Sequence, residues 1–259
     1  MIRQPVVAGR FYPSNSQTLR RDVEGYTTPR PQSLVRAKAC LVPHAGYMYS
    51  GAVAGAVFAA LDLPDRVIIL APDHFGQGAE PFALHPASEW ETPLGRAAVD
   101  TELAARIRMT AHDEQAHAEH SLEVQLPFLQ VLRPDFKFVP IAIGAGDYQS
   151  LAAFGEALAA ANTMIVASSD LNHYEDDRTT RRKDQMAIDH MLRLDAAGLL
   201  DTLRRERISM CGFGPAVAAI TAAKLLGATE GKLIRHATSG DVKEGDRSRV
   251  VGYAGIVFV

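Results

Sequence analysis

Two uninterrupted apolar runs, Val67 to Leu70 and Met164 to Ala167, limit most strongly what this chain can fold into. A strand with one face in water alternates apolar and polar residues, whereas a strand that is covered on both faces is apolar throughout. Helical patterns separate such runs along the chain. The alternation predicts an α/β fold in which helices cover both faces of a central, mixed and largely parallel sheet, a three-layer α/β/α arrangement.

The same patterns predict the order of the elements. We expect strands at Ala39 to Val42, Arg66 to Ala71, Phe136 to Ile143, Thr163 to Ser168, Lys232 to Ala237 and Val250 to Val259. We expect helices at Ser16 to Tyr26, Gly51 to Leu61, Asp100 to Met109, Ser121 to Leu132, Tyr148 to Ala161, Thr180 to Arg205 and Pro215 to Leu226. No repeat and no low-complexity linker interrupts this order, so a single domain over residues 1–259 is expected.

Histidines follow three of the predicted central strands. His44 comes directly after the first, Asp73 and His74 follow the second, and Asp170 with His173 follows the third. One histidine after a strand is usually a capping or surface residue. Three at equivalent strand ends predict a shared polar site, because ligands of open α/β sheets bind outside the carboxyl ends of the strands.

Two neutral imidazoles with an anionic ligand suit a catalytic divalent or redox metal that keeps open coordination positions. The sequence leaves four candidates for the anionic ligand: Asp73, Asp170, Glu119 and Cys211. Cys211 lies among glycines just before a predicted helix with Pro215 in its first turn, and a helix N-terminus favours a thiolate. The alternative for Cys211 is an inert buried thiol, which is the interpretation we favour for Cys40.

Glu119 and His120 precede Ser121, a predicted N-cap. Helix capping explains part of this pattern, with Glu123 in the first turn. The functional alternatives are that Glu119 and His120 fix an imidazole tautomer, or that His120 donates a proton to bound substrate. We expect the remaining histidines to be surface or core residues: His85, His112, His117, His190 and His236.

Composition narrows the range of partners. The net charge is -3, and the basic residues form no tract flanked by aromatics, which argues against nucleic acid. The sequence has no apolar N-terminal run typical of a signal peptide and no stretch of about 18 uncharged apolar residues, so we expect a cytoplasmic protein without a membrane partner. Two cysteines in unlike patterns argue against a disulfide framework.

Eight ordered motifs make the chain resemble the Memo family, in particular the bacterial and archaeal proteins called AmmeMemoRadiSam system protein B. They are VPHAGYMYSG, APDH, TPLG, VD, EHSLEVQLPFL, SSDLNHY, CGFGP and ATSGD followed by VVGYA, and the N-terminal AGRFYP fits as well. The resemblance implies a fold similar to that of class III extradiol ring-cleaving dioxygenases, which use non-haem Fe(II). It also implies functional association with a radical S-adenosylmethionine protein and an AMMECR-type protein.

The resemblance associates the metal pocket with His44, His74 and Cys211, with Asp170 and His173 beside them. Ring-cleaving dioxygenases complete two histidines with a carboxylate, whereas this chain has a thiol at the matching place. A thiolate is the softer ligand, so copper or a redox role gains weight beside Fe(II), and inherited ring cleavage is doubtful.

Three functions stay open at this level. The first is a metal-dependent redox protein with dioxygenase-like activity, which has Fe(II), then copper, then zinc as candidate metals. His44 and His74 would be ligands, and Asp73 and Glu119 would support them. Catalytic roles are expected for the other polar side chains of the crevice: His173, Asp170, His120 and Cys211. The second function is a binding module for a peptide or small anionic ligand, and the third is zinc-dependent hydrolysis.

Overall fold

The computed structural model describes residues 1–75, 81–107, 119–144 and 146–259. Its strands are β1 Ile2–Arg3, β2 Ala39–Val42, β3 Arg66–Pro72, β4 Phe82–Leu84, β5 Glu89–Thr92, β6 Gly95–Val99, β7 Lys137–Ile143, β8 Met164–Ser168, β9 His173–Glu175, β10 Gly231–Thr238 and β11 Val250–Phe258. Its helices are α1 Ser16–Tyr26, α2 Tyr47–Ala60, α3 Thr101–Arg106, α4 His120–Glu123, α5 Leu126–Leu132, α6 Tyr148–Ala159, α7 Asp177–Leu192, α8 Ala196–Arg205 and α9 Phe213–Leu225, and Ser239–Asp241 forms a 3₁₀ turn.

The strands form one mixed sheet with a parallel centre. Its order is β1, β5, β6, β7, β3, β8, β2, β11 and β10, while β4 pairs with β7 and β9 with β11. The neighbours β7, β3, β8 and β2 run parallel, and β11 is antiparallel to β2. The carboxyl ends of the four parallel strands therefore share one edge of the sheet.

Each face of the sheet carries its own apolar core, as strands that are covered on both sides require. Along β2, Leu41 contributes to the core shared with α6 to α9, and Cys40 to the core shared with α1, α2 and α5. Both side chains are fully buried. This arrangement confirms the predicted three-layer α/β/α fold.

Most predicted strands are found within one or two residues of their expected limits, but the helices need two corrections. The helix predicted at Ser121 to Leu132 is divided into α4 and α5, with Pro127 in the first turn of α5. The helix predicted at Thr180 to Arg205 is divided at Leu194, where φ is 53°, and α8 starts from a new N-cap at Asp195.

Further differences lie at helix ends and in short strands. The N-cap of α4 is Glu119, whose carboxylate accepts from Ser121 N, and not Ser121 itself. The helix predicted at Asp100 to Met109 is present as α3, and its predicted last residues lie outside the described part of the chain. Five short strands were not predicted: β1, β4, β5, β6 and β9. Among the described residues, no helix is both long and apolar enough to cross a membrane.

A buried ion pair ties the N-terminal strand to α4. Arg3 Nη1 lies 2.6 Å from Glu123 Oε2, and both side chains are fully buried. The Arg3 guanidinium also stacks on Trp90 at 3.9 Å and donates to Glu119 O at 2.9 Å. The Glu123 carboxylate accepts from Val6 N at 2.9 Å and also from Val7 N and the Tyr12 hydroxyl. The first residues of the chain thus hold the segment that begins at Glu119.

We expect Arg3→Met to lower the free energy of unfolding by about 3–5 kcal/mol, because it leaves the Glu123 carboxylate buried without its counter-charge. The measurement is urea unfolding at neutral pH. The matched control is Arg36→Met, which breaks the exposed pair between Arg36 and Asp62 and should cost about 0–1 kcal/mol. Equal losses in the two variants would contradict the importance of burial at Arg3.

Candidate metal centre

The predicted meeting of polar side chains at the strand ends is present. His44 follows β2, His74 follows β3, and Asp170 follows β8, which lies between these two strands. The His44 backbone N–H donates to Asp170 Oδ1 at 2.8 Å, so the loops after β2 and β8 are joined directly. The parallel sheet therefore brings residues that are distant in sequence to one edge.

Three imidazoles form the centre of this edge. The rings of His44, His74 and His120 each offer one nitrogen, and these three atoms lie within 4.8 Å of one another. The ring centroids of His44 lie 5.0 Å from His74 and 5.7 Å from His120, with the ring planes nearly perpendicular. Such a spacing of nitrogens suits one metal ion at their centre.

His120 enters this cluster from α4. Its ring stacks on His74 with centroids 4.9 Å apart and contacts Phe11 at 4.7 Å. The sequence predicted His120 as part of a helix start, as a residue that fixes an imidazole tautomer, or as a proton donor to substrate. Its membership in the imidazole cluster was missed, because no strand end marks it in the sequence.

Glu119 holds His74 from behind, as its predicted supporting role requires. Its carboxylate accepts from His74 N at 2.9 Å and lies 3.0 Å from His74 Nδ1. Burial alone would raise the pKa of Glu119, but hydrogen bonds from His74 and Ser121 outweigh it and lower this pKa to about 2. Burial likewise disfavours a charged His74, yet the Glu119 carboxylate raises the His74 pKa. A carboxylate on Nδ1 leaves Nε2 of His74 as the ligand nitrogen.

His44 is the most buried of the three imidazoles, with 3% of the residue exposed. Burial lowers its pKa well below the ordinary value, and the neighbouring His74 and His120 add to this effect. Nδ1 of His44 lies 3.0 Å from the hydroxyl of Ser168, the last residue of β8. The ring is therefore neutral, as a metal ligand must be. The contact with Ser168 was not predicted, since nothing in the strand pattern distinguishes this serine.

Cys211 lies next to His44. Its Sγ is 3.3 Å from His44 Nε2 and accepts from Asp170 N at 3.3 Å. The residue after Cys211 is Gly212, and a Cβ there would collide with the carbonyl oxygen of Ser168. Glycine therefore lets the Cys211 segment pack closely against the end of β8. The expected depression of the Cys211 pKa is wrong for the metal-free protein: burial and the Asp170 carboxylate raise it. Burial also raises the pKa of Cys40 to about 12, consistent with an inert thiol.

His173 stands at the side of the site, in β9. Its backbone N–H donates to Ser209 Oγ at 2.8 Å, and its Nδ1 lies 2.8 Å from Ser209 O. A carbonyl can only accept, so Nδ1 carries the proton and Nε2 is the basic nitrogen. Asn172 in turn holds Ser209 in position, because Asn172 Oδ1 accepts a hydrogen bond from Ser209 N at 3.2 Å.

Asp73 and the remaining histidines were also considered in the sequence. Asp73 Oδ1 accepts from Phe75 N at 3.1 Å, in the turn that carries His74. Three of the remaining histidines have structural neighbours: His85 packs on Trp90, His190 contacts Asp195, and His236 contacts Asp184. His112 and His117 lie outside the described residues.

A cavity of about 870 Å³ opens above the imidazoles. Its lining includes Asp170 and His173 and aromatic side chains such as Phe11 and Tyr49. Arg249 also lines the cavity, and its guanidinium lies 5.4 Å from the Tyr174 ring. The volume is that of a small-molecule site with a few polar groups at its base.

Comparisons with known proteins agree with the motifs. The family model described as "Memo-like protein" matches residues 3–257. A MEMO1 family protein of Aquifex aeolicus is 40% identical over 267 residues, covering 100% of this chain and 99% of its own length. MEMO1 family proteins of Methanopyrus kandleri and Archaeoglobus fulgidus are 41% and 43% identical, over 282 and 266 residues; the matches cover 100% and 99% of this chain and 99% of each relative.

We expect Glu119→Gln to lower the pKa of His74 in the metal-free protein, because the substitution removes the negative charge that stabilises the imidazolium. It should also weaken metal binding about 10–100-fold, since the carboxylate orients the ring. NMR titration of the histidine resonances measures the first effect and metal titration the second. Glu156→Gln, on the exposed side of α6, is the control and should change neither. An unchanged His74 pKa in Glu119→Gln would refute the assignment.

Proposed function

The chain belongs to the Memo-like family, and on that premise we propose that it is a metal-dependent redox protein with dioxygenase-like activity on a small molecule. The observation that carries the proposal is the cluster of three imidazole nitrogens within 4.8 Å of one another at the base of an open cavity. Fe(II) is the metal we favour, and copper is the next candidate.

The donor chemistry fits such a metal. His44 and His74 supply two imidazoles, and either His120 or Cys211 completes a set of three protein ligands. Three protein ligands would leave coordination positions for other groups, which is typical of catalytic rather than structural sites. A bound redox metal would supply an exchangeable electron and positions at which dioxygen and substrate can bind together.

The surrounding residues would manage protons and water. Nε2 of His173 is basic, because Ser209 holds the proton on the other nitrogen, and it is the group we assign as general base. The Asp170 carboxylate accepts from His44 N and is buried, which raises its pKa, so it is the second group that we assign to proton transfer at the site. Aromatic residues such as Phe11 and Tyr49 line the cavity and would exclude water from the surface of an apolar substrate.

Two other functions each have one observation in their favour. Three exposed side chains with apolar surface line the cavity, which would suit a module that binds a peptide: Met48, Tyr49 and Tyr174. A set of three imidazoles with an open position also suits zinc-dependent hydrolysis. The association with a radical S-adenosylmethionine protein and an AMMECR-type protein stays a prediction from the resemblance.

We expect anaerobically purified protein to contain stoichiometric iron or copper, measured by elemental analysis. His44→Ala and His74→Ala should reduce the metal content to background while circular dichroism shows them folded, because each removes a ligand. His190→Ala is the control, since His190 contacts Asp195 away from the cluster. Cys211→Ser and His120→Ala then identify the third ligand. No metal under metal-replete conditions would favour the binding module, and full zinc occupancy the hydrolase.

We expect the iron-loaded protein to consume oxygen with at least one member of a panel of catechols and thiols, measured with an oxygen electrode. His173→Ala should slow this uptake about 10²–10⁴-fold at unchanged metal content, because it removes the general base. His190→Ala again serves as the control. A His173→Ala variant that turns over like the wild type would refute the role of His173.

A further inference from the structure

We propose that Ser168 and Gln125 act as positioning residues that hold His44 in the tautomer with its proton on Nδ1. Nε2 of His44 would then be the nitrogen that faces the cluster. The assignment of Nε2 to a metal rests on the proposed function. The tautomer itself is a property of the metal-free protein.

The argument starts from the hydrogen bonds of the Ser168 hydroxyl, which has one proton to donate and two lone pairs. Its oxygen lies 2.8 Å from Ser121 O, 2.9 Å from Gln125 Nε2 and 3.0 Å from His44 Nδ1. A carbonyl accepts only, so the single hydroxyl proton points to Ser121 O. The two lone pairs then face Gln125 and His44, and His44 Nδ1 must donate.

The orientation of the Gln125 amide is fixed by a second carbonyl. Nε2 lies 2.9 Å from Pro43 O as well as 2.9 Å from the Ser168 hydroxyl, so both its protons are used. The reversed amide would place Oε1 against Pro43 O, and two acceptors would face each other. Oε1 is buried without a hydrogen-bond partner within the described ranges. A buried acceptor left unpaired is unfavourable, so the structure keeps glutamine here for its two donors.

The opposite tautomer of His44 conflicts with this network. It would place the lone pair of Nδ1 against the Ser168 oxygen, or it would draw the hydroxyl proton away from Ser121 O. All three groups that surround the Ser168 hydroxyl are buried, so water cannot replace a lost partner. With the proton on Nδ1, the free lone pair lies on Nε2, 3.3 Å from Cys211 Sγ.

The hydrogen bond that orients His44 differs in kind from the one that orients His74. There the partner of Nδ1 is the Glu119 carboxylate, which adds a negative charge behind the ring. Behind His44 the partner is a neutral hydroxyl whose orientation comes from two backbone carbonyls. Both rings are oriented by a hydrogen bond at Nδ1, but only the partner of His74 carries a negative charge.

The tautomer can be read in the metal-free protein from long-range ¹⁵N–¹H NMR correlations after ¹⁵N labelling of histidine. The His44 signals are assigned by their loss in His44→Ala. We expect a protonated Nδ1 and an unprotonated Nε2 in the wild type. Ser168→Ala removes the acceptor, so it should populate a mixture of tautomers. Gln125→Met removes the donor that occupies one lone pair of the hydroxyl, so it should populate a mixture to a smaller extent, because Ser121 O still accepts the hydroxyl proton.

Titration with Co²⁺, followed by visible absorption, gives the second readout. Ser168→Ala should weaken binding about 10–100-fold, as expected for loss of a group that orients a ligand. Ser50→Ala is the tautomer control, because that buried side chain donates to Ala45 O at 2.8 Å from helix α2. It should leave the tautomer of His44 unchanged.

A wild-type protein with the proton on Nε2 would overturn the inference. So would an unchanged tautomer in both Ser168→Ala and Gln125→Met, with circular dichroism confirming that they are folded. Gln125→Met keeps the test decisive if Ser168→Ala does not fold. Absence of Co²⁺ binding in the wild type would count against the proposed metal function, whereas the tautomer measurement would still decide the role of Ser168 and Gln125.

Discussion

The parallel pairing of β8 with both β2 and β3 is the constraint on which the site depends. Val42 pairs with Ser168, and Leu70 pairs with Ala167, so the three strands end within a few residues of one another along the sheet. The residues that follow must then emerge at one edge, whatever their distance in sequence. A shift of one residue in β8 would turn Ser168 to the opposite face of the sheet, because side chains alternate between faces. The ladder of the central strands therefore brings His44 and His74 to the same edge of the sheet.

A second group of residues at the site lies on the α4 segment and is positioned by buried charged side chains and not by the strands of the sheet. Glu119 and Glu123 lie on neighbouring turns of the α4 segment; one carboxylate supports His74, and the other pairs with Arg3. Burial of such charges is expensive, and well-packed apolar residues of the same size would often serve stability as well or better. The charged network instead fixes where these side chains lie, because each hydrogen bond restricts both the direction and the distance of a side chain. The N-terminal strand is thus connected to His74 through Glu119, whose carbonyl oxygen accepts from Arg3 and whose carboxylate accepts from His74 N.

The sequence was sufficient to predict what the apolar pattern controls. Buried strands such as β3 and β8 are uninterrupted apolar runs, and this pattern also located the histidines at their ends. The apolar pattern did not predict the short strands: β4 has only three residues, and β9 has three residues of polar composition. Ser168 and Gln125 could not be predicted, since their role depends on contacts between residues that are 43 positions apart. His120 was recognised as polar and conspicuous, but its place among the imidazoles follows from how α4 packs on the sheet.

The thiol of Cys211 and the imidazole of His120 differ in what they require before they can bind a cation. Burial and the Asp170 carboxylate hold the thiol in its protonated form, so a cation that binds sulfur must displace a proton. The pKa of His120 is lowered, chiefly by burial, so this imidazole is neutral and has nothing to release. Binding through three imidazoles should therefore depend less on pH than binding through two imidazoles and the sulfur. Asp170 acts on both outcomes, because the carboxylate that disfavours a thiolate in the metal-free protein also stabilises any cation that replaces the proton. The buried carboxylate that joins the loops after β2 and β8 would therefore influence a cation bound by either set of ligands.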